Sequence, residues 1–218
     1  MLHRRIVISA VILLAGCDQE LSPKAASIER EVPLETSTAQ ETGRSKAVEV
    51  QETSKAAVPE DFNSYATEDA GNEQLCVAGT MTDADGMNQE AYLYLLDKHD
   101  RSVFWGKALG LPADTFQSRA THCTASEDSL YVLLQADTQS QHELSQTLLR
   151  VIKLNRDDGT VAFDKSLMPN DTDAYSASVA EGEAHFSLEK KRLTVKGTYV
   201  TSADRDSSIE FTQYMDVN

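Results

Sequence analysis

Residues 97–109, DKHDRSVFWGKAL, and residues 155–167, NRDDGTVAFDKSL, align without a gap at a shift of 58 positions. Each copy reads as a strand closing on Asp97 or Asn155, a polar turn, and a second strand with alternating apolar positions and an aromatic, Trp105 or Phe163. Self-similarity of this kind marks a repeated supersecondary unit: one hairpin cannot bury its apolar face alone, so neighbours stack to bury it together. The likeness extends upstream, where residues 75–80, LCVAGT, match residues 193–198, LTVKGT, and both are echoed by Leu130, Tyr131 and Val132. Residues 211–217 stand where residues 92–98 stand in the first copy, so three copies are visible and the last is short, about two and a half units.

Working outward, short alternating runs recur at 75–80, 91–96, 103–108, 129–134, 148–154, 160–165, 192–200 and 209–215. Val, Tyr, Phe, Thr and Leu fill them, and Asp-Gly, Asp-Asp-Gly and Glu-Gly mark turns between them. This predicts an all-β domain over 74–218, an antiparallel meander or a set of blade-like repeats. A β-sandwich or small barrel is the alternative packing of the same strands. The repeated unit resembles the blades of PQQ-like β-propellers. That resemblance implies radial blades, and a closed ring of such blades needs about four to eight. Two and a half units fall short of a ring, so either chains associate to complete one or the hairpins fold as a single-chain β structure with blade-like meanders. An open blade stack is disfavoured because its end strands would be unpaired. No cofactor-site residue of that family is located here, so no cofactor is expected.

Upstream of the domain, residues 17–73 are rich in Glu, Ser, Thr, Ala and Gln and hold only two aromatics, Phe62 and Tyr65. A segment with so little apolar surface to bury cannot offset the entropy of ordering its backbone, which predicts a disordered acidic linker. The first sixteen residues read differently. His3, Arg4 and Arg5 precede an apolar run from Ile6 to Leu14, then Ala15, Gly16 and Cys17: the order of an export signal peptide. The run is about half the roughly 20 residues a spanning helix needs. Leu14, Ala15, Gly16 and Cys17 resemble the lipobox of bacterial lipoproteins. This resemblance implies cleavage after Gly16, palmitate or a similar acyl group on Cys17, and attachment to a membrane by two or more acyl chains. Asp18 resembles the signal that retains such proteins at the periplasmic face of the inner membrane, the outer membrane being the alternative.

The net charge is −15, and it is spread over both halves of the mature chain. Phosphate binding needs a basic footprint, so nucleic acid is excluded as a partner. With Cys17 assigned to the lipid, Cys76 and Cys123 remain as a pair in an oxidising compartment, either a disulfide or two buried thiols.

Candidates for chemistry are sparse. His99, His122, His142 and His185 have no metal-ligand spacing, and there is no HExxH or CxxC. His122 beside Cys123 has the makings of an activated thiolate, but neighbours in a strand point to opposite faces. Asp83, Asp85, Gly86, Asn88 and Glu90 begin like a calcium loop, yet Met81 and Tyr92 stand where ligands are needed, and a hairpin turn accounts for them. Trp105 is expected in the core at the place Phe163 takes in the next copy. These features predict a non-enzymatic, membrane-anchored envelope protein whose β domain binds another envelope protein or a cell-wall component through strand edges or loops. Homo-oligomerisation is left open. The competing expectation is an enzyme or ligand sensor built from dispersed residues in the loops 83–90 and 137–143.

Overall fold

The computed structural model describes residues 57–86, 88–139, 145–169 and 173–217. The leader, Cys17, most of the expected linker, His142 and Glu143 lie outside the described residues. Three separate four-stranded sheets, all antiparallel, make up the fold. The first contains β1 (Phe62–Gly71), β2 (Gln74–Thr82), β3 (Gln89–Asp97) and β4 (Val103–Ala108), paired in chain order. The second repeats this with β5 (Thr115–Ala125), β6 (Ser129–Thr138), β7 (Thr147–Asn155) and β8 (Val161–Ser166). In the third, β9 (Ala174–Ser178) and β10 (Phe186–Glu189) lie in tandem along one side of β11 (Arg192–Thr201), and β12 (Ile209–Asp216) pairs with its other side. Among the described residues the only helical piece is a single 3₁₀ turn at Glu183–His185.

The repeat is a repeat of register. Gln74 faces Asp97, Ser129 faces Asn155 and Arg192 faces Asp216 at the same point of the three sheets. The turns after β3 and β7 carry the same bonds: Asp97 N–H donates to Ser102 O and Arg101 N–H to Asp97 O, as Asn155 N–H donates to Thr160 O and Gly159 N–H to Asn155 O. Side-chain oxygens of Asp97 and Asn155 accept backbone N–H groups two residues on, the Asx turn that these residue types favour.

Alternation then assigns each sheet two faces. Cys76, Ala78, Leu93 and Leu95 of the first sheet meet Leu130, Val132, Leu134, Ile152 and Leu154 of the second in one core cluster. Tyr131, Leu133, Leu149 and Val151, on the opposite face of the second sheet, meet Phe186, Leu193 and Val195 of the third. Each fully buried leucine among these contributes about 2 kcal/mol of transfer free energy. The far face of the third sheet is largely polar, carrying Arg192, Thr194, Lys196, Glu210, Thr212 and Asp216 beside the exposed Tyr214, so apolar stacking stops there. The sheets form no closed barrel or ring, which corrects the propeller resemblance: the largely polar far face of the third sheet gives a further sheet little to bury.

The boundary at residue 74 is also corrected. β1 lies at Phe62–Gly71, inside the expected linker, and is held by its ladder to β2 and by a few apolar contacts, Ala66 and Ala70 at the first core cluster and Phe62 against Tyr92 and Tyr94. Its turn, Asn72-Glu73, has two positive φ angles, 51° and 58°, and lacks the glycine that usually announces such a hairpin.

The first strand of every unit is irregular at one shared place, apart from a second register shift in each of β1 and β5. β1 slips register between Ser64 and Ala66, opposite Gly79 and Ala78, and β5 slips between Ala120 and His122, opposite Leu134 and Leu133. In the third unit the same place holds the whole excursion that separates Ser178 of β9 from Phe186 of β10. Where the first two units hold a bulge, the third holds a loop.

Candidate functional site

β12 is the edge that distinguishes the third sheet. In the first two sheets the third strand is covered by a fourth, β4 on β3 and β8 on β7. Among the described residues no strand covers β12, which pairs only with β11. Its free groups follow from the repeat. On β3, Ala91 O accepts from Leu109 N–H and Asp97 N–H donates to Ser102 O; on β7, Leu149 O and Asn155 N–H do the same. Transferred by register, Glu210, Thr212, Tyr214 and Asp216 turn their N–H and C=O groups to the open side, and the odd-numbered residues bond to β11.

The edges formed by the fourth strands of the first two sheets are blunted. β4 and β8 are six residues long, each is set off by a register shift, and each carries a lysine, Lys107 or Lys165. Short, bulged and charged edges resist adventitious pairing. β12 has eight residues, an unbroken register with β11, and two exposed large apolar or aromatic side chains, Ile209 (43 %) and Tyr214 (63 %). Gln213 Oε1 is buried and accepts no hydrogen bond. Beside this edge runs a cleft of about 360 Å³ that includes His185, Lys196, Thr198, Glu210 and Thr212.

A second polar cluster lies where the excursion meets the second sheet. Gln135 Nε2 donates to Val179 O (3.0 Å) and to Thr121 Oγ1 (3.1 Å), and Gln135 Oε1 accepts from Val179 N–H (3.2 Å). His122 Nε2 donates to Ala180 O (2.9 Å), so its Nδ1 is the acceptor for the Thr121 hydroxyl (3.0 Å). Burial holds the His122 imidazole below its ordinary pKa, and a neutral ring fits this bonding. Every group in the network is used, which makes it a clip fixing the excursion rather than reactive machinery.

The sequence-derived candidates are dispersed. Cys76 and Cys123 are joined as a disulfide between β2 and β5, with Cα atoms 6.5 Å apart, so Cys123 offers no thiolate to His122. His99 sits in the turn after β3, exposed, 2.9 Å from Glu73. Asp83 and Asn88 bond each other across the hairpin between β2 and β3. Asp137 is engaged by Arg119 at 3.1 Å, by Gln117 and by Thr147. Trp105 is partly buried against the first core cluster, and its Nε1–H donates to Arg156 O. Among the described residues no group of three metal-ligating side chains is present.

Two features escaped sequence reasoning. One is Arg156, 5 % exposed, whose guanidinium donates to Gln74 and to the carbonyls of Gly71, Ser126 and Glu127, tying together the turns of two sheets. The other is Glu68 on β1, whose carboxyl is pushed up to about 7 by burial, by the charge of Glu183 and by the hydrogen bond that its protonated form donates to that carboxylate. Only the fold brings residues 68 and 183 together, and no local pattern announces either.

No family model matches the chain, and no curated protein is similar to it. The lipobox resemblance at residues 14–17 thus has no family support, lies outside the described residues, and is withdrawn together with the propeller resemblance.

Proposed function

We propose that the β domain is a non-enzymatic binding module of the cell envelope that takes up an extended segment of a protein partner along β12. The observation that carries this reading is the uncovered third strand of the third sheet, at a position where both other sheets hold a fourth strand in register. Strand addition uses the backbone groups of Glu210, Thr212, Tyr214 and Asp216 for affinity and alternate side chains for selection. The basic, then apolar, leader and the Cys76–Cys123 disulfide favour an extracytoplasmic, oxidising location. The test is a photo-crosslinking residue at position 212 in intact cells, with adducts mapped by mass spectrometry. An extended partner segment captured at 212, and lost when Tyr214→Pro is added, supports the reading; capture indifferent to Tyr214→Pro overturns it.

A ligand-sensing reading draws on the neighbouring cleft, where Lys196, His185 and Glu210 offer cation, imidazole and carboxylate. It requires a small molecule whose stabilisation of the protein disappears in Lys196→Ala while crosslinking at 212 is unaffected.

A further inference from the structure

The covered edges of the first two sheets specify what the third should accept. Opposite β3, Trp105 pairs with Leu95, Gly106 with Tyr94, Lys107 with Leu93 and Ala108 with Tyr92. Opposite β7, Phe163 pairs with Lys153, Asp164 with Ile152, Lys165 with Val151 and Ser166 with Arg150. The two fourth strands therefore share one order: aromatic, variable, lysine, small. By register, Leu95 and Lys153 correspond to Tyr214, Tyr94 and Ile152 to Gln213, Leu93 and Val151 to Thr212, and Tyr92 and Arg150 to Phe211.

We propose that the partner segment is an antiparallel strand reading aromatic, donor, basic, small, and that it docks with these residues opposite Tyr214, Gln213, Thr212 and Phe211. This rests on the strand-addition reading above and adds its chemistry. The aromatic stacks across the strand on exposed Tyr214, a pairing that stabilises sheets. The basic residue lies diagonal to Glu210 on the polar face, and it approaches a chain of net charge −15, which steers cationic segments in and opposes a second copy of this chain. The second position departs from its equivalents. Gly106 and Asp164 supply no donor, whereas Gln213 Oε1 is a buried acceptor without a partner, so here a seryl, threonyl or amide side chain is required.

The experiment measures binding of fluorescein-labelled peptides to the full chain by anisotropy at low salt. The parent peptide has the sequence of residues 103–109, VFWGKAL; its variants carry Gly106→Ser, Gly106→Asp, Trp105→Ser or Lys107→Glu. The expected order is Ser above Gly above Asp at the second position, with Trp105→Ser and Lys107→Glu each weakening binding by about tenfold, the equivalent of one good contact. Thr212→Pro in the protein, its fold checked by circular dichroism, should abolish binding of all of them. If Thr212→Pro abolishes binding but the peptides bind equally, strand addition stands and the proposed chemistry fails. If no peptide binds, or binding ignores Thr212→Pro, strand addition itself fails.

Discussion

Arg101 and Gly159 occupy the same place in the turns after β3 and β7, with φ of 62° and 68°. At Gly159 a Cβ would stand 2.9 Å from the Trp105 ring, so glycine is required twice over, by conformation and by space. Arg101 bears the left-handed conformation without that relief, and Arg101→Gly should stabilise the protein by up to about 1 kcal/mol, read as a rise in the urea midpoint. Glu68 acts in another currency. Its folded carboxyl titrates at about 7 against 4.5 in the unfolded chain, so the folded state retains a proton that the unfolded state releases. The associated stability is present below pH 4.5 and is lost as pH rises to 7. Stability measured by denaturant between pH 5 and 8 should therefore fall with pH, and Glu68→Gln, which keeps a polar partner for Glu183, should flatten that slope. A slope unchanged in Glu68→Gln would remove the pair as its source.

At the scale of elements, parity along β12 decides what a substitution does. Thr212 is assigned an N–H that faces the open side and Gln213 one that bonds β11, so proline at the two positions should behave oppositely. Thr212→Pro is expected to leave the melting temperature within a few degrees of wild type, whereas Gln213→Pro breaks a ladder bond and should cost on the order of 3 kcal/mol. Equal losses at both would show that the register-based assignment of the edge is mistaken. The same reasoning explains which strands were legible. β2, β3, β6 and β7 were legible as apolar runs largely buried on both faces, as in residues 129–134, and β11 as an alternating strand, as in residues 192–196. β1 was not legible, because an edge strand with the exposed positions Asn63, Ser64, Thr67 and Asp69 carries little apolar pattern. β9 and β10 are short pieces of one strand position, split by an excursion whose anchoring partners, Gln135 and His122, lie more than forty residues away.

Across the whole molecule, the three sheets are held by two apolar clusters and a single covalent link between the first two sheets. The Cys76–Cys123 bond closes a loop of 47 residues, for which chain entropy predicts roughly 4 kcal/mol. Reduction, or the double change Cys76→Ala and Cys123→Ala, should lower stability by a sum of that order and leave the third sheet's attachment to the second in place. Hydrogen exchange would check this: β5 and β2 amides should lose protection before those of β7 and β11, and uniform loss would contradict the division.

From the chain alone, the β class, the 58-residue repeat and the turns at Asp97 and Asn155 could be read, because alternation and Asx chemistry are local properties. Tertiary structure decided that the repeats stack without closing, that Arg156 clasps two sheets, that Glu68 meets Glu183, and that β12 stands uncovered. Each of these depends on which surfaces meet across dozens of residues, and burial and pairing at that range are set by packing rather than by neighbours in sequence.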